Sequence, residues 1–219
     1  MKQSTPEIKY FEIYPRSFRI QVHQLIAWGF SDARHRICSN DELETSISGF
    51  ISEAVEDRLL AGDPVWCQYY FIKDDPPVRT PGRSGRARRR SDIVIQGNFP
   101  GRPEYVFEAK RLKKGGWGVD KYVGNDGIGR FLNGAYASRY GEAAMLGFIQ
   151  SDSPGFWQGA LKQAIEDDAR SLALRNSQHD EGVIESFPLE WVSEHDRPSL
   201  GRSIDIYHIL LDCMNVEVR

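Results

Sequence analysis

The stretch from Ser91 to Lys110 constrains the fold of this chain more than any other. Ser91-Asp-Ile-Val-Ile-Gln96 and Glu104-Tyr-Val-Phe-Glu-Ala-Lys110 are β-favouring runs separated by Gly97-Asn-Phe-Pro-Gly-Arg-Pro103, whose glycines and prolines interrupt a strand. The pattern predicts an antiparallel pair joined by a longer turn. Side chains alternate faces along a strand, so Glu108 and Lys110 project together and Ala109 points away. With the turn centred near Pro100, Asp92 falls opposite Glu108 and two carboxylates meet. Two such charges about 5 Å apart repel by about 3 kcal/mol at an effective dielectric of about 20, so the pair calls for a proton or a cation. Carboxylate oxygens from Asp92 and Glu108, joined by the Ala109 carbonyl, suit Mg2+ or Mn2+, which keep several waters and bind phosphate oxygens. Lys110 is then placed to orient or help deprotonate an attacking water and to stabilise charge developing on phosphate.

The charge pattern points the same way. The chain has 219 residues and a formal charge of −3, yet residues 79 to 114 hold eleven Lys and Arg against three acids, while residues 151 to 196 hold ten acids against three bases. A dense cationic window is what a phosphate backbone attracts through counterion release. Arg83, Arg86, Arg88, Arg89 and Arg90 lie in a Gly-, Pro- and Ser-bearing stretch, and 76–91 reads as a flexible loop ending beside Asp92. Lys113 and Lys114 extend the basic run after Lys110. Arg130 is a further candidate phosphate contact, with ion pairing to Asp126 as its alternative.

Elsewhere, residues 8 to 30 read as one or two short strands, because Pro6 and Pro15 discourage a long helix. Ser39 or Asn40 caps a helix whose apolar residues Leu43, Ile47, Phe50, Ile51, Ala54, Val55 and Leu59 recur at helical spacing until Gly62-Asp63-Pro64. Val65 to Ile72 is strand-like. A second helix is expected over 127–140, a buried strand over 143–150, a third helix over 157–174 and a last strand over 203–214. Together these predict one α/β domain with a mixed sheet flanked by helices. Cys38, Cys67 and Cys213 form no CxxC pair, and the five histidines lack metal-ligand spacing, so a disulfide framework and a zinc hydrolase are both disfavoured. Neither glycine cluster, at 115–118 or 124–129, matches a nucleotide loop. Trp117 is the tryptophan best placed for nucleic-acid contact. Neither a signal peptide nor a membrane-spanning helix is evident, which makes a cytoplasmic location the default expectation.

Asp before an Ile-Val-Ile strand, followed by a strand ending Phe-Glu108-Ala109-Lys110, resembles the PD-(D/E)xK nuclease superfamily. Asp92 matches its strand acid and Glu108-Ala109-Lys110 its ExK; Ser91 stands where the proline of the family name would be. The resemblance implies a restriction-endonuclease-like core over about 40–214 within a single domain of residues 1–219. It also implies a further glutamate on the first core helix: Glu44, with Glu42 and Glu53 as competitors. Residues 122–137, 144–149 and 206–212 look like segments of bacterial nuclease-like proteins of restriction and anti-phage defence.

The expected activity is therefore Mg2+- or Mn2+-dependent hydrolysis of phosphodiester bonds, most readily in DNA. The protein would act as the effector of a defence system whose partner proteins trigger it. Two alternatives stand beside it. One is a nucleic-acid-binding or assembly subunit that keeps the fold without cutting; the other is an RNA endonuclease.

Overall fold

The structure is a computed structural model that describes residues 16–77, 82, 84, 86, 89–116 and 118–214. Six strands form one sheet: β1 (Tyr70–Asp74), β2 (Ile93–Gly97), β3 (Glu104–Leu112), β4 (Glu142–Ile149), β5 (Trp191–Arg197) and β6 (Arg202–Asp212), in the order β1-β2-β3-β4-β6-β5. β3, β4 and β6 run parallel, and the remaining neighbours pair antiparallel. β4 is buried along its whole length, as an apolar strand in the parallel centre of a sheet covered on both faces must be. Among the described residues five α-helices flank the sheet: α1 (Arg16–Ala33), α2 (Glu44–Ala61), α3 (Val119–Val123), α4 (Ile128–Leu132) and α5 (Pro154–Asp167). The expected mixed α/β architecture is present. Among the described residues no helix is long and apolar enough to cross a membrane.

On one sheet face, α1 buries Phe18, Val22, Leu25 and Ile26. Its His23 sits 3.1 Å from the Tyr105 hydroxyl and 2.7 Å from Glu190 Oε1. Arg19 grips Glu142 at the start of β4 through Nε, at 2.8 Å. α2 packs against α1 at Gly29, where a Cβ would lie 2.4 Å from Val55 Cγ2 and 2.9 Å from the Ile51 carbonyl. The opposite face carries Tyr122 of α3, whose hydroxyl meets His208 Nδ1 at 3.0 Å, together with α5 and the segment 133–140.

Several expected elements differ. Residues 16–30, expected as strand, belong to α1; residues 8–15 lie outside the described part. The apolar set Phe18, Val22, Leu25, Ile26 buries one helical stripe, and Arg16–Ala33 itself contains no proline to break it. α2 forms as expected and ends at Gly62, which takes the left-handed conformation (φ 68°) that glycine adopts without strain. Its N-cap position is Leu43, with no side-chain cap, while Ser39 Oγ accepts the Asp41 N–H at 3.0 Å. Val65–Tyr69 is a 3-10 turn, so the strand starts only at Tyr70. The second helix stops at Leu132: Asn133 Oδ1 accepts the Ala135 N–H and Gly134 turns at φ 71°. α5 starts earlier and stops earlier than expected, with Ser153 Oγ accepting the Phe156 N–H as its cap.

Candidate active site

β2 and β3 pair in the register Ile93↔Phe107, Val94↔Val106, Ile95↔Tyr105. One step further sets Asp92 opposite Glu108, as the spacing about Pro100 requires. β3 then runs on past the start of β2, which leaves the Ala109 and Arg111 N–H groups without a strand partner on that side. Buried N–H groups need acceptors, and two carboxylates supply them. Asp92 Oδ2 accepts the Ala109 N–H at 2.7 Å, and Glu44 Oε2, reaching over from the first turn of α2, accepts the Arg111 N–H at 3.0 Å.

Between these acids lies Lys110. Its Nζ donates to the Ala109 carbonyl at 2.6 Å, to Glu108 Oε1 at 2.8 Å and to Glu44 Oε1 at 3.2 Å. Glu108 is 6% exposed, and Asp92 is its acidic neighbour across the β2–β3 pair. Burial raises the pKa of Asp92 even though Lys110 and the Ala109 N–H favour its charged form. Burial and then the neighbouring Asp92 push Glu108 well above the usual carboxylate range. Burial also raises Glu44, against the pull of Lys110. Desolvation opposes the charge on Lys110, but Glu108, Glu44 and Asp92 outweigh it and hold the ammonium above its ordinary value. Lys110 is therefore a firmly protonated group, suited to stabilising negative charge and not to accepting a proton.

Of the three helix-acid candidates only Glu44 enters the site. Glu42 gives its carbonyl to Gln150 Nε2 at 2.8 Å, and Glu53 pairs with Arg36 at 2.7 Å. The cationic candidates divide. Arg83 and Arg88 lie outside the described residues, as does Trp117; Arg86 is exposed and Arg89 half-buried. Arg90 pairs with Asp75 through Nε at 2.6 Å, and Lys113 pairs with Asp41. The exposed Lys114 stands 5.9 Å from the Phe156 ring. Arg130 takes the alternative weighed from the sequence and pairs with Asp126, four residues earlier in the turn before α4.

Three residues stand at the site without having been singled out in the sequence. Asp75 donates its N–H to the Asp92 carbonyl at 2.9 Å. Asp74 is raised by burial and then by Asp75 and Asp92. Tyr136 donates its hydroxyl to the Arg90 carbonyl, and its pKa is raised by burial and then by Glu108. The adjacent acids Asp74-Asp75 at the end of a strand-like run were the available signal; Tyr136 had none, because only the fold of 133–140 brings it there.

Two carboxylates and a carbonyl are hard oxygen donors of the kind that Mg2+ and Mn2+ take. As the side chains stand, Lys110 draws on two of those oxygens, on Glu108 and Ala109. No group of three or more His, Cys, Asp and Glu side chains is arranged to hold a metal ion among the described residues. No family model, curated protein or solved structure matches this chain.

Proposed function

We propose that this protein is a Mg2+- or Mn2+-dependent endonuclease of the PD-(D/E)xK, restriction-endonuclease-like kind, acting on polynucleotides and most readily on DNA. The observation that carries the reading is the convergence of Asp92, Glu108 and Glu44 on Lys110 where β3 runs past the start of β2. Acids held in a buried group beside one ammonium are costly to keep together, and sites that bind and act on charged ligands are where such arrangements collect. Asp92, Glu108 and the Ala109 carbonyl would hold the ion. Once bound, the ion supplies charge neutralisation, polarisation of the phosphate and activation of water. Lys110 keeps its proton and faces the negative charge that builds on the phosphate oxygens. Glu44 is a positioning residue: one oxygen fixes the Lys110 ammonium and the other the backbone at Arg111. Arg86, Arg89 and the remaining arginines of the loop would contact flanking phosphates.

The test is cleavage of plasmid and oligonucleotide substrates with Mg2+ or Mn2+. In Asp92→Asn and Lys110→Ala, cleavage should fall by at least about 100-fold with circular dichroism unchanged. Wild-type rates in both variants would overturn the assignment.

A second reading, a non-cutting binding or assembly subunit, is favoured by the way Lys110 already satisfies Glu108, Ala109 and Glu44. It predicts strongly salt-dependent polynucleotide binding and no product with either ion.

A further inference from the structure

A groove opens beside the carboxylates, on the same face of the sheet. Its floor is Val94 and Val106, each two residues along the strand from Asp92 and Glu108, or about 6.6 Å. It encloses about 490 Å³. On one side stand Pro76 and Pro77, at the neck of the arginine-bearing loop, which the Pro77↔Arg90 bridge closes. On the other side stands the segment 137–140. The β2–β3 turn at Gly101-Arg102 ends the groove, with both residues at positive φ (90° and 43°).

Three cations line this groove: Lys73, Arg102 and Arg139. Among the described lining residues the acid is Glu104, 3.5 Å from the Lys73 ammonium, so these residues carry a positive surplus. The far wall is anchored from beneath. Arg197, buried at the end of β5, donates to the Ala137 carbonyl at 2.9 Å and the Tyr140 carbonyl at 2.6 Å. Phe71 of the edge strand β1 lies directly opposite Gln96, which is another lining residue. Residues paired in this way share a face, so Phe71 stands on the groove's side of the sheet, with about half of its surface in solvent (52% exposed). A preformed cationic groove with an open aromatic ring is the combination that holds unpaired nucleotides, phosphates on the cations and a base on the ring. Its volume is that of a small-molecule pocket and too small to admit a duplex.

We propose that this groove binds an unpaired polynucleotide strand next to the cleavage site, so that the substrate is single-stranded or carries a single-stranded extension. The position of the cut rests on the nuclease reading above; the binding does not.

The experiment is fluorescence anisotropy of the full chain in EDTA with three labelled probes: a short DNA strand, the RNA of the same sequence and the blunt DNA duplex. The single strands should bind at least roughly tenfold more tightly than the duplex, and the tighter of the two names the substrate sugar. Arg102→Gln and Arg139→Gln should each lower the slope of log affinity against log salt by about 0.7. Phe71→Ala should weaken binding and leave that slope alone; its side chain is exposed on an edge strand, so the fold is not at stake. Duplex binding as tight as single-strand binding, or wild-type affinity in all three variants, overturns the proposal. If the groove variants bind normally while Asp92→Asn abolishes cleavage, the groove falls and the nuclease stands. If they lose binding in a protein that cuts nothing with either ion, the nuclease falls and the groove stands.

Discussion

Glu108 shows what a single residue tells about this site. Burial and Asp92 raise its folded-state pKa above the unfolded value, so the folded state binds its proton more tightly. The stability from this group is therefore fully present at low pH and is lost as pH rises through the folded value. Above that range the ionised carboxylate works against the fold. Glu108→Gln should accordingly melt higher than the wild type at pH 8, by about 2–4 °C for each ~1 kcal/mol relieved, and the advantage should vanish near pH 4, where both side chains are neutral. Thermal melts at the two pH values check this. A lower melting temperature at pH 8 would mean that Glu108 serves the fold through its bond to Lys110. The facing of Asp92 and Glu108 was legible in the sequence because strand alternation and turn length fix a register. What fills the space between the acids was not, because the reach of Glu44 and the folding back of Lys110 depend on where α2 begins relative to the end of β3.

At the scale of elements, legibility followed how far apolar spacing was left undisguised. α2 carries apolar residues at helical spacing up to its glycine stop, β2 and β3 are β-favouring runs bounded by glycine and proline, and these elements lie close to where the sequence puts them. α1 carries helical spacing as well, in Phe18, Val22, Leu25, Ile26 and Ala33, but Pro15 and the aromatic Trp28 and Phe30 pull a local reading towards strand. β5 went unread for a different reason. Trp191, Ser193, His195 and Arg197 all point inward and are buried, so polar residues occupy core positions and the alternation is hidden. They find polar partners inside the core: Ser193 Oγ lies 2.7 Å from both His195 Nε2 and His208 Nε2, and Arg197 holds the wall of the groove through Nη1 and Nη2. The packing of α1 on α2 also bears on the site, since it sets the position of the helix that carries Glu44. Gly29→Ala places a methyl against Val55 and the Ile51 backbone, and should destabilise the protein by about 1–3 kcal/mol. Urea unfolding measures this. An unchanged midpoint would show that the two helices separate at little cost.

At the scale of the whole molecule, a buried chain of hydrogen bonds links the end of the α5 region to α3 across the sheet. The Leu172 carbonyl meets His195 Nδ1 at 2.9 Å, Ser193 joins His195 to His208, and His208 Nδ1 meets the Tyr122 hydroxyl. Tyr122 in turn lies over Gly147, the neighbour of Lys110 on β4. Burial lowers the pKa of His195 and, reinforced by His195 and Lys162, takes that of His208 well below 6.5, so both rings are neutral in the fold. A folded-state pKa below the unfolded one gives stability that is fully present above the unfolded value and is lost as pH falls below it, because the unfolded chain then binds the proton more readily. Asp205, raised to about 6 by burial and then by Glu142, acts with the opposite sign. Its contribution is present at low pH and lost as pH rises through about 6, so the total pH profile mixes the two. The difference between wild type and His208→Gln isolates the histidine. The variant should be less stable at pH 7, having lost the stack on Trp191 at 4.6 Å. That deficit should shrink by up to about 1.4 kcal/mol for each pH unit below 6.5, because only the wild type carries at position 208 a ring that acid drives towards the unfolded state, while His195 is common to both. Denaturant unfolding at pH 7, 6 and 5 tests this, and a deficit that stays constant across the series would show that His208 is not held neutral by the fold.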